Sequence, residues 1–252
     1  MECVLILADV NSVRIINLKV PTTYTLEDRH KPDPLILDCE YEIEPNEQGF
    51  VLKWLLDNNS IYQWIPSNKG FPLGSMKSRI DTTYTSAENN HRAISIIAPE
   101  WNMTGEYTCA VQTFESTDKK SARLQIIVPE TDFALTTKVD QDENEVEITC
   151  KVQNIYPQLN NKKYTHISTD VSRVASGLFS AIIKSKIPRD IIESPTPITC
   201  ILTLPGTNYT KRRETLFYEK KTSKKKIKKN YVTVLSSLYH THTYLEYKKW
   251  TT

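Results

Sequence analysis

The sequence predicts an all-β protein, two tandem β-sandwiches followed by a basic tail. Three observations carry that reading. Apolar and polar residues alternate in short runs along most of the chain, and no long stretch keeps a helical period. Four of the five cysteines sit inside such runs, two in each half. A proline in Val128-Pro129-Glu130 breaks the pattern midway, and proline has no N–H to continue a ladder. The 252 residues suffice for two ordinary domains.

In chain order, Leu35, Leu37, Cys39 and Tyr41 alternate with Ile36, Asp38 and Glu40. Phe50, Leu52 and Trp54 alternate with Val51 and Lys53, and Ile61 to Trp64 add a further strand. Ala93 to Ile97 is β-rich. Tyr107, Cys109 and Val111 alternate with Glu106, Thr108 and Ala110, and Ala122, Leu124, Ile126 and Val128 follow the same rule. Period two buries one face of each strand and wets the other. The theme repeats at Val146 to Val152, Leu178 to Ile183, Ile198 to Leu202 and Thr215 to Tyr218. Many short strands between turn signals read as sandwiches.

The boundaries are an N-terminal segment at 1–16, a first sandwich at 17–129, a second at 130–218 and a tail at 219–252. Met1 to Ala8 reads as a truncated or misassigned signal, with an apolar run shorter than the usual ~7–15 residues; a plain N-terminal extension is the alternative. Cys3, the odd cysteine, is removed or unpaired. The tail holds nine Lys and two Glu, a net +7, so the rest of the chain is −5. Such a block of like charge reads as disordered and solvated. A nuclear, anionic-lipid or heparan-binding role is the functional alternative.

Composition narrows the function. With 39% hydrophobic and 25% charged residues, the chain can fill packed cores. No run of about 20 apolar residues is present, as a membrane-spanning helix needs. Six glycines and the absence of GxGxxG remove the usual support for nucleotide folds. No HExxH, GxSxG or paired-cysteine zinc spacing occurs, and the five histidines read as solvated loop residues, His240 and His242 in the tail included. The chain is read as a non-enzyme with no cofactor and no metal.

Cys39 and Cys109 are 70 residues apart, and Cys150 and Cys200 are 50 apart. One disulfide per sandwich is expected; four reduced, buried thiols are the alternative. Closing loops this long contributes on the order of 4 kcal/mol each.

Cys39, Trp54 and Gly105-Glu106-Tyr107-Thr108-Cys109 resemble the Cys…Trp…Tyr-x-Cys signature of an immunoglobulin domain. That resemblance implies a variable-type domain in which Trp54 covers the disulfide and the Tyr107 hydroxyl bonds back to the corner. The second sandwich resembles a divergent constant-type domain. No Trp follows Cys150, Ile198 stands at the corner-tyrosine position, and Tyr164 or Phe179 is expected to fill the core. Arg79 is present, but Met103 stands where its usual aspartate partner would be.

Cys39-Glu40-Tyr41, Val51-Leu52-Lys53-Trp54, Ile61-Tyr62-Gln63-Trp64-Ile65-Pro66 and Gly105 to Val111 resemble the insect beaten path (Beat) group of neuronal immunoglobulin proteins. The likeness covers roughly 17–130 well and 131–218 loosely. It implies cell-surface recognition of an extracellular receptor of the Sidestep group, in axon guidance or synaptic partner matching. The alternative is a secreted immune-type protein binding glycans or microbial surfaces.

Three sequons, at Asn58, Asn102 and Asn208, fall in strand-connecting turns. They are expected to ring the junction between the sandwiches and to leave the tip and front sheet of the first bare. The partner-binding face is expected to hold Lys53, Tyr62, Trp64, Gln112 and Phe114. Either Tyr62 or Trp64 is expected to point outward as a hot spot; alternatively Trp64 packs inward under the loop 66–76, with Phe71 beside it.

Overall fold

The computed structural model describes residues 13–84, 91–159 and 167–218, and the backbone of 232–236. The chain divides into two compact units, with the break between Ile126 and Ile127. That break falls just before the expected one at Pro129.

The first described strand of unit 1 is β1 (Val13–Lys19), so the first sandwich takes in residues assigned above to the N-terminal segment. It continues through β2 (Thr23–Thr25), β3 (Leu35–Ile43), β4 (Val51–Leu56), β5 (Asn59–Trp64), β6 (Phe71–Pro72), β7 (Ile94–Ile96), β8 (Gly105–Gln112) and β9 (Thr117–Ile127). One sheet has the order β1-β3-β7, and the other, larger one β2-β9-β8-β4-β5-β6. The additional β5 and β6 beside β4 are what a variable-type sandwich adds. Leu35, Leu37 and Cys39 of β3 and Ile94 and Ile96 of β7 are buried, as are Leu52 and Trp54 of β4 and Tyr107, Cys109 and Val111 of β8. These are the period-two residues of each strand, and the core between the sheets is their sum.

Asp57 and Asn58, both at positive φ, form the tight β4–β5 turn. Asn and Asp tolerate that backbone region better than other side-chain-bearing residues, which suits a two-residue hairpin. Cys39 and Cys109 form a disulfide. Trp54 is fully buried and stands opposite Cys109 in the β4–β8 pairing, its indole N–H donating to the Arg92 carbonyl at 3.0 Å. The Tyr107 hydroxyl donates to the Met103 carbonyl at 2.9 Å, closing the turn before β8. Arg79, lacking an aspartate at 103, pairs instead with Glu100 at 2.8 Å and donates to the Ala98 carbonyl at 2.9 Å.

Unit 2 contains β10 (Asp132–Asp140), β11 (Glu145–Ile155), β12 (Ile167–Arg173), β13 (Phe179–Pro188), β14 (Thr196–Thr203), β15 (Thr210–Phe217) and β16 (Val232–Ser236). One sheet runs β10-β11-β13-β12 and the other β15-β14-β16. Cys150 and Cys200 form a disulfide. In the expected constant-type arrangement the strand after the first cysteine strand flanks the second cysteine strand. Here no described strand lies between β11 and β12. The flank of β14 is taken by β16, parallel, with Ile198 opposite Val232 and Leu202 opposite Ser236. The expectation of a wholly disordered tail is therefore corrected for Val232–Ser236. A β-branched run, Val232-Thr233-Val234, suits a strand whatever the charge upstream of it.

The core of unit 2 is filled without tryptophan. Ile155, Ile198 and Leu204 are wholly buried, and Phe179 packs at the margin of the Cys150–Cys200 cluster. Tyr164, the other expected filler, lies outside the described residues, as do Cys3, His240, His242 and the tail lysines. Ile198, at the corner-tyrosine position, packs with Val146, Ile148 and Phe217. Hydrophobic contact there replaces the hydroxyl bond of unit 1.

Candidate functional site

The six-stranded sheet of unit 1 turns one face to the core and one outward. On β4 the outward residues are Val51, Lys53 and Leu55, because Leu52 and Trp54 are buried between them. Gln63 stands opposite Lys53, and Phe71 opposite Gln63. On β8 the outward set includes Ala110 and Gln112, and on β9 it includes Lys119, opposite Ala110. Lys53 is half-buried and Gln112 exposed.

The β8–β9 turn places Phe114 at 81% exposure. Its backbone N–H donates to the Gln48 carbonyl at 3.0 Å, which ties this turn to the β3–β4 turn. Gly49 makes the approach feasible. Its φ is +73°, which favours glycine, and a Cβ there would lie 2.3 Å from the Phe114 ring and displace it. Phe71 is 42% exposed.

Tyr62 and Trp64 correct the expected binding face. They are 3% and 4% exposed, and both point inward. Residues i and i+2 of a strand share a face, so one of this pair cannot point out while the other points in. Trp54 stands opposite Tyr62 and Leu52 opposite Trp64, which fixes the inward side. The polar tip of each ring has a backbone partner: Tyr62 donates to the His91 carbonyl at 3.0 Å, and Trp64 to the Asn68 carbonyl at 3.1 Å. Burial pushes the Tyr62 phenol up to about 12. Between Tyr62 and Trp64 the outward residue is Gln63, and among the described residues of unit 1 the exposed aromatics are Phe114 and Phe71. Strict use of the two-residue period would have found Gln63. Phe71 had a weaker signal, a lone aromatic after the glycine at position 70.

Beside this face, the ends of β3, β4 and β5 enclose a cleft of about 510 Å³. It is lined by Tyr41, Phe50, Trp64, His91, Glu47 and Asn68, among others. Tyr41 stacks on Phe50 with centroids 4.7 Å apart, Phe50 meets Trp64 edge-on at 5.8 Å, and Trp64 lies 5.9 Å from His91. The sequence reading missed this cleft, because its walls come from three separate connections.

Asn58 is exposed in the β4–β5 turn, and Asn102 is exposed in the 3-10 turn before β8. Both turns are at the end of the sheet opposite the Phe114 turn, since β4 and β8 run antiparallel between them. Asn208 is exposed in the β14–β15 turn of unit 2. Among the described residues no cluster of three or more His, Cys, Asp or Glu is arranged to hold a metal.

No protein-family model and no curated protein matches the chain. Among solved structures, bovine butyrophilin is similar with a TM-score of 0.60 at 15% identity, over 79% of this chain and 96% of that one. The amphioxus IgVJ-C2 molecule has a TM-score of 0.45 at 14% identity, over 78% of this chain and 99% of its own. The extracellular portion of mouse CD200RLa has 0.46 at 16% identity, over 77% and 98%. The butyrophilin likeness shows the fold, and with the strand order and one disulfide in each unit the chain carries two tandem immunoglobulin-like β-sandwiches.

Proposed function

We propose that this is an extracellular recognition protein, secreted or at the cell surface, that binds another immunoglobulin-type receptor through unit 1. The carrying observation is an outward sheet face free of sequons and flanked by the 81%-exposed Phe114. A large exposed aromatic beside polar, modestly charged neighbours is the composition of an interface hot spot. The two disulfides support an oxidising compartment, because cytosolic thiols are kept reduced. The resemblance to the Beat group supplies a specific candidate, a receptor of the Sidestep group, and with it a role in neuronal partner choice.

The test is a binding screen of the full chain against purified extracellular immunoglobulin ectodomains, Sidestep-type receptors among them. Surface plasmon resonance with the captured partner then compares Phe114→Ala, Phe71→Ala and Lys53→Ala. Phe114→Ala is expected to cost about 2 kcal/mol, roughly thirtyfold in affinity. Lys53→Ala should chiefly slow association and reduce its salt dependence. Full affinity in the triple variant would place the contact elsewhere.

A further inference from the structure

We propose that Phe114 enters an apolar pocket on the partner protein, and that the rim of that pocket is basic. The inference rests on the recognition reading above and deepens it by naming the chemistry of the surface that unit 1 fits. The way the ring is presented and the charge around it lead there separately.

The ring is exposed and yet held. At 81%, Phe114 is the most exposed large hydrophobic residue among those described. Its turn is closed by its own bonds. The Thr113 N–H donates to the Ser116 carbonyl at 2.8 Å, and the Thr113 hydroxyl accepts from the Ser116 N–H at 3.0 Å. Thr113 itself is buried. The Phe114 N–H is fixed to the Gln48 carbonyl, and one edge of the ring lies against Gly49. A single exposed apolar side chain is ordinary on a protein surface. One carried on a bonded turn, beside a glycine that leaves room for it, is preorganised. Inserting it into a pocket has only two side-chain torsions to order.

Charge selects the pocket. The two turns that meet at Phe114, residues 44–49 and 113–116, contain Glu44, Glu47 and Glu115 and no Lys, Arg or His. Glu44 and Glu115 are exposed, and no ion pair among the described residues includes either. The basic residues that strand pairing brings nearest are placed otherwise. Arg14 pairs with Glu42 at 2.6 Å, and Lys120 donates to the Ile16 carbonyl at 3.3 Å. Lys53 and Lys119 flank Ala110 one outward row further along the sheet, beyond Val51, Gln112 and Thr117. The surroundings of the ring are therefore negative. An acidic rim would meet like charge there, which is strongly unfavourable across an interface. A neutral rim would take the ring but strip water from two carboxylates without supplying a counter-charge. Lys or Arg on the rim removes both penalties.

The experiment uses the full chain and synthetic pockets. β-Cyclodextrin is an apolar cup that admits one benzene ring, and its rim can be charged while the cup is kept. The neutral host, the per-guanidinylated host and the per-carboxymethylated host are titrated at physiological ionic strength. The ring resonances of Phe114, assigned by comparison with Phe114→Ala, are followed by NMR. The guanidinylated host is expected to shift them saturably and to bind at least about fivefold more tightly than the neutral one, with the carboxymethylated host weakest. In Glu44→Gln/Glu115→Gln the guanidinylated and neutral hosts should come within about twofold of each other. The tail, with a net +7, repels the guanidinylated host and so opposes this order. Absence of a Phe114 shift with the guanidinylated host overturns the proposal, and so does equal or tighter binding of the carboxymethylated one. The hosts are not receptors, so a failed titration leaves docking on the sheet face standing. For an ectodomain captured by the screen, Glu44→Gln/Glu115→Gln should slow association about fivefold or more. Unchanged association would overturn the basic rim and leave the recognition reading intact.

Discussion

At the scale of single residues, unit 1 depends on polar groups attached to buried rings. Trp54 fills the centre and satisfies its own N–H on the Arg92 carbonyl. Trp54→Ala is expected to cost ~3–5 kcal/mol, the range for deleting a large packed ring. Tyr107→Phe keeps the ring and strands the Met103 carbonyl, so the loss should be smaller, about 1–3 kcal/mol. Denaturant melts of the full chain check both, and a near-zero effect of Trp54→Ala would deny it a central place in the core. Burial also raises the phenols of Tyr41, Tyr62 and Tyr107 above their ordinary value. An unfolded phenol ionises near pH 10. Below that, both states keep their protons and stability is unaffected by these groups. Above it, the unfolded chain gives up protons that the folded chain retains, and stability falls until the folded value is passed, about 12 for Tyr62. Melts in steps from about pH 9 to 12 should show the decline beginning near 10, and Tyr62→Phe should make it shallower. An equally steep decline in that variant would assign the loss to other groups.

At the scale of elements, β16 matters most. Among the described strands, β14 has β15 on one side and β16 alone on the other. A chain ending at Tyr218 should therefore lose amide protection along Ile198–Leu202 while unit 1 keeps its own. Hydrogen exchange on the two forms measures this directly, and a drop of about tenfold or more in β14 protection is expected. Unchanged protection would mean that β14 holds without its parallel neighbour. The second disulfide tells a related story. Cys150 is 8% exposed, whereas Cys39 and Cys109 are fully buried, the latter opposite Trp54. During stepwise reduction and alkylation, Cys150 and Cys200 should label first. Simultaneous labelling of both pairs would show that global unfolding, not local access, limits the reaction.

At the scale of the molecule, recognition is proposed for unit 1, and sheet completion falls to residues beyond β15. These roles are separable. Removing residues 219–252 should leave partner affinity within about twofold while altering unit 2, and Phe114→Ala should do the reverse. Surface plasmon resonance on the truncated chain, paired with a thermal melt, checks this. If binding disappears with the tail and unit 1 still melts normally, the lysine segment carries attachment, and a steep salt dependence would accompany it.

The strands were legible in the sequence as a local alternation; one disulfide per sandwich was read from paired strand contexts, with reduced thiols as the alternative, and the roles of Trp54 and Tyr107 came from the resemblance to an immunoglobulin domain. Alternation assigns a face, and an inward cysteine on a strand of each of the two facing sheets suits a bridge. The direction of Tyr62 and Trp64 was legible too: their separation alone puts them on one face. What the linear order did not contain was closeness between distant segments. Phe114 reaches Gln48 across 66 positions because the β8–β9 and β3–β4 turns share one end of the sheet. The cleft needs the chain from Tyr41 to His91 folded back on itself before Glu47 meets its rings. The place of Val232–Ser236 beside Ile198–Leu202 likewise has no local signature. A β-rich run announces that it will pair, but its partner is chosen by which edge the rest of the sheet leaves open, and only the tertiary structure decides that.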